Sequence, residues 1–330
     1  NESFSLSETT YFRLKDKNGN DSVLYRNQYL KSPQKNNSWR VGITFAQPIG
    51  KKMHFRVAYN WDTNYERDNR DTYELSFLTK SEVFGELPPD YEAGYVDSLS
   101  NRSHSRTNGH NLDVGLNYSD DTWMFNASLG MTPQKRAIER KMGKLYADTT
   151  MHTIDFQPMI WVNWKKKEAR ITFNYSGRTR QPSLSDLMPL TDNSNPLYIT
   201  RGNPDLKQMF SHSVRVSFQH SKKGISANIG GQMEQNSVTQ VVLYDAKTGG
   251  RETSPINISG NWNVYGSANW WKRLGHFSLR LDMNGNHSNR VSMINEDKSL
   301  EPKKSTTRDT GLGCDANVSY QPTWGGIDFS

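Results

Sequence analysis

Apolar and polar residues alternate strictly over most of this amino-acid sequence. Leu112, Val114 and Leu116, for example, alternate with Asp113 and Gly115. The same period of two recurs in 123–131, 154–164, 169–175, 225–229 and 277–283. Because successive side chains of a β-strand point to opposite faces, this pattern predicts strands with one apolar and one polar face. The sequence therefore predicts an all-β fold.

Composition narrows the class of protein further. Hydrophobic residues make up 34% of the 330 residues, and no run approaches the roughly eighteen apolar residues of a membrane-spanning helix. Aromatic residues make up 11%, which is too many for a disordered chain. The single cysteine, Cys314, excludes an intrachain disulfide framework, and its place beside Ala316 predicts a small inert hydrophobe. A soluble β-rich domain and a transmembrane β-barrel both remain.

The positive charge of the chain does not predict a nucleic-acid partner. Lys and Arg number 41 against 34 Asp and Glu, a net charge of +7. These residues occur in short clusters between the strand-like runs and form no single basic block. We therefore interpret them as solvated turns and expect no nucleic acid as partner.

Two architectures produce this alternation, and three features favour the barrel. In a sandwich the apolar face forms a core, whereas in an outer-membrane barrel it faces lipid. The runs approach the nine to eleven residues that cross a bilayer, and their polar face carries Asn, Ser, Gly, Gln and Arg. Many runs also end in aromatic residues, as the girdles of a barrel require. These residues are Trp39, Tyr59, Trp61, Tyr118, Trp123, Trp164, Tyr175, Trp270 and Tyr320.

Short turns and long connections alternate along the chain. Short polar turns are predicted at 48–51, 119–122, 165–168, 221–224 and 272–275. Long irregular segments are predicted near 62–110, 132–151, 177–210, 235–258 and 285–308. Barrels of the outer membrane have short periplasmic turns and long extracellular loops. We therefore expect about twelve to fourteen strands, with the long segments extracellular, and a first hairpin of 4–14 and 23–30 around the turn 17–20.

Several segments resemble a known family. Trp39 to Lys52, Arg180 to Leu187, and Asp192 to Ile199 running into Gly202-Asn203-Pro204-Asp205-Leu206-Lys207 are similar to barrel segments of the TonB-dependent receptor-like outer-membrane proteins of Bacteroidetes. Pro255-Ile256-Asn257 followed by Gly260-Asn261-Trp262 resembles a later segment of the same family. The resemblance covers the chain from about Trp39 onward.

The resemblance implies a fold, a location and partners. The family has a 22-stranded barrel in the outer membrane, closed by a plug domain, and it imports scarce or large nutrients with energy from TonB. The expected partners are outer-membrane lipid, the protein's own plug domain, TonB and a possible surface lipoprotein. No plug domain or TonB box is recognisable here, and 324–330 resembles the start of another strand. We therefore expect residues 1–330 to be one partial barrel domain of a larger antiparallel transmembrane β-barrel.

Candidate ligand-binding residues lie in the first long segment and on the polar face. Aromatic rings and guanidinium groups recognise sugars and anions by stacking and paired hydrogen bonds. The candidates are Tyr65, Arg67, Arg70, Tyr73, Tyr91, Tyr95 and Arg102 in the segment 62–110, and Arg56, Arg170, Arg215 and Arg280 in the lumen. Ordinary packing of an exposed loop is the alternative for the first group. Gly202-Asn203-Pro204 is expected to form a turn with a structural role.

Motifs of enzymes and metal sites are not found in the sequence. The eight histidines show no metal-ligand spacing, and no nucleophile elbow, phosphate loop or zinc-protease motif occurs. We therefore predict no metal, no cofactor and no enzymatic activity. Import across the outer membrane is the expected function, and a soluble carbohydrate-binding surface domain or a passive porin-like channel is the alternative.

Overall fold

β-Strands dominate the described part of the chain. The computed structural model describes residues 2–13, 22–76, 86–189, 191–195, 197–245, 249–295, 300–321, 325 and 327–329. Short helical turns occur at Tyr91–Gly94, Asp97–Leu99 and Ser221–Lys223, and α1 spans Leu184–Leu187. Within these residues no helix has the length and apolar character needed to cross a membrane.

Seventeen strands are found among the described residues. They are β1 Glu2–Arg13, β2 Ser22–Ile49, β3 Met53–Glu74, β4 Asn101–Ser119, β5 Trp123–Met142, β6 Leu145–Lys166, β7 Ala169–Arg180, β8 Thr191–Asn195, β9 Tyr198–Arg201, β10 Met209–His220, β11 Ile225–Gln235, β12 Ser237–Tyr244, β13 Arg251–Ile258, β14 Asn261–Leu274, β15 Phe277–Ile294, β16 Lys303–Tyr320 and β17 Ile327–Phe329.

Thirteen of these strands form one sheet, in the order β1-β2-β3-β4-β5-β6-β7-β10-β11-β14-β15-β16-β17. Neighbours with a described register, such as β7 with β10 and β14 with β15, are antiparallel. The prediction of twelve to fourteen antiparallel strands is therefore confirmed for this main sheet. The predicted first hairpin is also present, because β1 pairs with β2, while its turn at 17–20 lies outside the described residues.

The remaining four strands form a second, smaller sheet in the order β12-β13-β9-β8. We call it the loop sheet, because its strands come from the predicted long segments 177–210 and 235–258. β13 runs parallel to β9, with Arg251 opposite Tyr198 and Thr253 opposite Thr200. A parallel pair cannot be made by a hairpin, so the loop sheet joins two segments that are distant in the sequence.

The five predicted short turns lie side by side at one end of the main sheet, here called the turn end. Four backbone hydrogen bonds link each turn to the next: Ser119 N to Lys52 O at 2.9 Å, Lys165 N to Thr122 O at 2.8 Å, Ser221 N to Glu168 O at 3.0 Å, and Trp271 N to Gly224 O at 2.9 Å. A fifth bond, from Gln321 N to His276 O at 2.8 Å, joins the last turn to the end of β16. The five predicted short turns are thereby confirmed. The long connections leave the opposite strand ends, here called the loop end.

The prediction that the long segments are irregular is wrong. β3 continues to Glu74, and β5 and β6 are connected by a turn of only two residues, 143–144. β15 continues to Ile294, and β16 begins at Lys303. The segments 177–210 and 235–258 contain α1 and the loop sheet. Beyond the apolar band both strand faces carry polar residues, so the period of two disappears from the sequence although the strands continue.

The described chain divides into two compact units. Unit 1 contains Asn1–Arg40, Asp62–Asn108 and Lys135–His152, and its buried side chains include Tyr29, Leu75, Ile138 and Met142. Unit 2 contains Val41–Trp61, Gly109–Gln134 and Thr153–Ser330. The buried apolar side chains of unit 2 include Leu184, Leu187, Met188, Leu206, Met209, Val241 and Ile258, of which the last two belong to the loop sheet.

The apolar face of the main sheet in unit 2 is exposed and does not form a shared core. Val114 and Ile160 are each 37% exposed, and Ile43 is 71% exposed. In a soluble sandwich these side chains would be buried against a second sheet. An exposed apolar face of this extent is instead the outer surface that a transmembrane barrel presents to lipid.

Aromatic side chains form two girdles on this apolar face. Near the turn end, ring centroids of Trp123 and Trp164 lie 6.4 Å apart and those of Phe277 and Tyr320 lie 4.7 Å apart. Toward the loop end the pairs are Tyr59 with His110, Tyr175 with His212, and Trp262 with His287.

The spacing of the girdles fits a bilayer. Trp262 and Trp270 lie on the same face of β14, eight residues apart. At about 3.4 Å per residue this is about 27 Å along the strand. A strand tilted by about 40° then separates the girdles by about 20 Å, close to the apolar band of about 25 Å in outer-membrane barrels.

Candidate ligand-binding surfaces

The predicted lumen arginines share the polar face of the main sheet in unit 2. Arg56 of β3 donates from Nη2 to Oδ1 of Asp113 on β4 at 2.5 Å. Arg280 of β15 donates from Nε to Oδ2 of Asp282 at 2.7 Å. Arg170 lies nearer the turn end, opposite Lys165 on β6. The face carries fixed positive groups, and two of these four are paired with a carboxylate.

Arg215 makes a three-strand contact at this face. It lies opposite Gly230 of β11, which lies opposite Tyr265 of β14. The Tyr265 hydroxyl accepts hydrogen bonds from Arg215 Nη2 at 2.9 Å and from Nε at 3.2 Å. The guanidinium carbon is 5.5 Å from the ring centroid. Tyr265 was not among the candidate residues predicted from the sequence. An aromatic residue at a polar-face position of a strand could have indicated it.

Side-chain hydrogen bonds tie neighbouring strands together across the polar face. Asn163 Nδ2 donates to Thr172 Oγ1 at 2.8 Å, and Asn228 Nδ2 donates to Ser267 Oγ at 2.5 Å. Asn269 donates to the carboxylate of Asp282, which also accepts from Arg280. These bonds orient the polar groups, so the face presents a fixed pattern of donors and acceptors.

In unit 1, the structure brings three of the predicted tyrosines together. Tyr73 lies 5.2 Å from Tyr91 and 5.7 Å from Tyr95 between ring centroids, both edge-on. Tyr29 of β2, which the sequence did not suggest, completes the cluster at 5.8 Å from Tyr73 and 5.4 Å from Tyr91. Edge-to-face packing of this kind stabilises each pair by about 0.5–1.5 kcal/mol beyond area burial.

The segment 86–100 is fastened to β3 beside the tyrosine cluster. Thr72, which is almost fully buried, donates from its backbone N to Ser100 Oγ at 2.9 Å and from Oγ1 to Leu99 O at 2.9 Å. Val96 N donates to Thr72 O at 2.9 Å. The tyrosines therefore belong to a packed body, and packing explains their proximity without a ligand.

The pKa of Tyr73 is raised above its ordinary value. Burial of the hydroxyl, which disfavours the charged phenolate, is the largest cause. The neighbouring Asp71 carboxylate adds to the shift. Tyr73 therefore stays neutral over a wider pH range than an exposed tyrosine.

The other candidates from the segment 62–110 lie in separate contacts along β3 and β4. The Tyr65 ring is 6.5 Å from His104, and Arg102 Nη2 is 3.9 Å from Asp71 Oδ1. When the side-chain oxygen and nitrogen of Asn69 are exchanged, the oxygen accepts a hydrogen bond from Arg67 Nε at 3.0 Å. Arg70 is half-buried. The seven candidates from this segment are therefore divided between one tyrosine cluster and several smaller contacts.

The segment Gly202–Lys207 fastens the two parts of the loop sheet, which agrees with the structural role predicted for it. Asn203 Nδ2 donates to Pro255 O at 2.9 Å, and its backbone N donates to Asp186 O at 2.5 Å. A Cβ on Gly202 would come 1.8 Å from Met188 O. The constraint on Gly202 is therefore its close approach to the backbone of Met188, directly after α1.

Asn257 of β13 completes this connection. Its Oδ1 accepts from Lys207 N at 2.6 Å, and its Nδ2 donates to Lys207 O and to Asn236 O, each at 2.9 Å. One amide side chain thus satisfies three backbone groups from two different segments. Backbone groups held in this way favour a single conformation of the loop end in unit 2.

Within the described residues, no group of three or more His, Cys, Asp or Glu side chains is placed to hold a metal ion. His110, His212 and His287 instead contact neighbouring hydroxyl groups. His110 Nδ1 lies 2.8 Å from Tyr59 Oη, and His287 Nδ1 lies 2.7 Å from Thr310 Oγ1.

Three solved structures match this chain at low sequence identity. The copper transporter OprC matches with a TM-score of 0.52 and 10% identity, over 92% of this chain and 51% of that chain. The siderophore receptor PirA from Pseudomonas aeruginosa has a TM-score of 0.35 and 10% identity, over 99% and 76%. The FrpB iron transporter from Neisseria meningitidis has a TM-score of 0.38 and 9% identity, over 98% and 61%. At 10% identity the OprC match shows a similar fold and no more. The chain spans about half the length of OprC.

Comparison of the sequence with known families identifies the family of this chain. No match is found among curated protein sequences. Residues 1–323, nearly the whole chain, match the outer membrane protein beta-barrel family. The match agrees with the exposed apolar face, the aromatic girdles and the antiparallel main sheet. The chain therefore belongs to the outer membrane protein beta-barrel family and is an antiparallel transmembrane β-barrel protein of the outer membrane.

Proposed function

We propose that this chain is the barrel portion of a TonB-dependent outer-membrane receptor that imports a large or scarce nutrient. The observation that carries the proposal is the folded state of the loop end. In unit 2 the long segments form α1 and the loop sheet, held by Asn203 and Asn257. A preorganised surface lowers the entropy cost of binding a dilute ligand, which a receptor needs and a passive pore does not.

The comparisons and the sequence motifs support the same class of activity. OprC, which shares the fold over 92% of this chain, is a copper transporter. The Gly202–Lys207 segment resembles proteins of Bacteroidetes that import nutrients with TonB, and we propose a related origin and 22 strands for the complete barrel. In this proposal the protein acts as a receptor and not as an enzyme.

The proposed partners follow from this function. Outer-membrane lipid contacts the exposed apolar face, and the plug domain of the full-length protein contacts the polar face. TonB supplies energy through the plug, and a surface lipoprotein is a candidate partner at the loop end. The long segments are extracellular and the turn end is periplasmic, as in other outer-membrane barrels.

Uptake in living cells tests the proposal. Cells that carry the full-length protein, and matched cells that lack it, are grown on pools of oligosaccharides, metal chelates and peptides as sole sources of a limiting nutrient. We expect one pool to support growth only when both the protein and TonB are present. Growth that requires the protein but persists after TonB is removed would contradict energy-coupled import.

A passive porin-like channel is the second candidate, favoured by the strongly polar face of the main sheet. Swelling of liposomes that contain the full-length protein separates the two functions. A plugged receptor admits small sugars slowly, whereas a passive channel gives rapid swelling with uncharged sugars. A soluble carbohydrate-binding domain is disfavoured by the exposed apolar face, since Ile43 and Val114 would lack a core.

A further inference from the structure

Three side chains lie in a row across three neighbouring strands of the loop sheet, β12, β13 and β9. Tyr244 of β12 lies opposite Arg251 of β13, and Arg251 lies opposite Tyr198 of β9. Directly opposed residues on neighbouring strands point to the same face of a sheet. Neighbouring strands are about 4.8 Å apart, so the backbones of the two tyrosines are about 9.6 Å apart, with the backbone of Arg251 between them.

The row is accessible to a ligand. Tyr198 is 51% exposed and Tyr244 is 49% exposed, and Arg251 is exposed as well. The guanidinium carbon of Arg251 lies 4.5 Å from the Tyr198 ring centroid. A guanidinium stacked on a ring keeps its N–H donors at its edge, where they can meet a carboxylate. The stack therefore orients Arg251 for a ligand without using its donors.

The charge of Arg251 is not neutralised by its neighbours in the loop sheet. Glu252, the adjacent residue, points to the opposite face, where its Oε1 lies 3.1 Å from Nε of Arg201. Among the residues that the structure describes, Arg251 forms no ion pair. On one face of the loop sheet Arg201 is paired with Glu252. On the other face Arg251 lies between two tyrosines and can bind an anionic ligand.

The backbone beneath the row is fixed. Arg251 N donates to Leu197 O at 2.9 Å, which joins β13 to the start of β9. Pro255, four residues along β13, is fully buried, and its carbonyl accepts from Asn203. A site on paired strands holds its side chains more accurately than a site on free loops.

We propose that the row Tyr198–Arg251–Tyr244 is a binding site for acidic saccharides. The C–H face of a sugar ring stacks on the Tyr244 ring, and the sugar carboxylate accepts paired hydrogen bonds from Arg251. Tyr198 holds the guanidinium in place and widens the contact. This site names the ligand class of the proposed receptor, so as a nutrient-binding site it rests on the proposed function.

Binding of oligogalacturonate to the full-length protein in detergent tests the site. The comparison probe is the same oligosaccharide with its carboxylates methyl-esterified, which keeps the sugar rings and removes the charge. We expect the acidic probe to bind at least about tenfold more tightly than the ester, because a hydrogen bond to a charged group has that effect on affinity. Equal affinity for both probes, or no binding of either, would overturn the proposal.

Substitutions of residues in the row provide a second test of the site. Arg251→Gln should weaken binding of the acidic probe about tenfold or more, and Arg251→Lys should restore only part of it, because lysine lacks the planar fork. Tyr244→Ala should weaken binding of both probes about threefold to tenfold. Circular dichroism and heat-modifiable migration in gels establish that each variant is folded.

Arg201→Gln is the matched control, since it removes one positive charge from the opposite face of the same small sheet. It should leave the affinity for the acidic probe within about twofold. If Arg251→Gln and Arg201→Gln weaken binding equally, general charge attraction explains the affinity and the site is refuted. Binding by the purified protein does not require TonB, so the binding assay and the uptake assay are independent. A negative binding result would refute this site without refuting TonB-dependent import. A negative uptake result would refute import without refuting the binding site.

Discussion

Arg215 and Tyr265 are joined across an intervening strand, with two hydrogen bonds from the guanidinium to one phenol oxygen at 2.9 and 3.2 Å. Gly230 lies between them on β11. The ring of Tyr265 rests where a side chain at residue 230 would be, since a Cβ there would come 2.6 Å from Tyr265 Cζ. The contact therefore depends on the absence of a single methyl group.

Gly230→Ala should displace Tyr265 and break its bonds with Arg215. We expect a loss of about 1–3 kcal/mol in the free energy of unfolding, the usual cost of overpacking. Urea unfolding of the protein from lipid vesicles measures it. Gly266→Ala is the control, because a Cβ at Gly266 meets only Asn228 O at an ordinary 3.4 Å. Equal stability of the two variants would contradict this account of the contact.

Charge on the apolar face should be costly at mid-membrane depth. Val114 lies on the apolar face of β4, midway between His110 and Tyr118. Val114→Arg should destabilise the barrel by about 2–4 kcal/mol, the cost of arginine at the bilayer midplane. Asn117→Arg, on the polar face of the same strand, should cost much less. The same unfolding assay compares the two, and similar losses would argue against a lipid-facing Val114.

Tyr73 should ionise at a higher pH than an exposed tyrosine. Its folded pKa lies above the ordinary value of 10.0, so the neutral form is favoured by folding. The resulting stability is fully present below pH 10 and is lost as the pH rises through the folded pKa. Ultraviolet titration of tyrosinate should show a late component that disappears in Tyr73→Phe. A Tyr73 that ionises at or below pH 10 would contradict the burial of its hydroxyl.

Asn257 should control the order of the loop end in unit 2. Asn257→Ala removes three hydrogen bonds to the backbone of Lys207 and Asn236. We expect faster cleavage by added protease within 177–210 and 235–258, with the strands of the main sheet still protected. Asn257→Asp keeps the acceptor for Lys207 N and should give an intermediate rate. Unchanged cleavage in both variants would show that the loop sheet does not depend on this side chain.

Much of the main sheet could be predicted because its signals are local. The alternation in 112–118 and the turn at 119–122 each lie within a few residues, and both appear in the structure as β4 and its turn to β5. The continuation of β3 to Glu74 was missed, because polar residues occupy both faces there. The four arginines predicted for the lumen lie on the polar face for the same local reason, and their role in ligand binding stays a prediction.

The assembled surfaces could not be predicted, because their partners are far apart in sequence. Tyr29 joins Tyr73 from a strand more than forty residues away. Tyr198 meets Arg251 only through a parallel pairing of two separate long segments. Contacts between residues so far apart leave no periodic pattern in the sequence.

Spin-label accessibility along β14 tests the central claim most directly. Single cysteines are placed at each residue of Asn261–Leu274 in a Cys314→Ser background, and the labelled full-length protein is reconstituted into lipid vesicles. The account predicts a period of two, with labels at 262, 264, 266, 268 and 270 open to oxygen in the lipid and labels between them open to a water-soluble relaxant. Equal access of the water-soluble relaxant to both faces would contradict a transmembrane barrel.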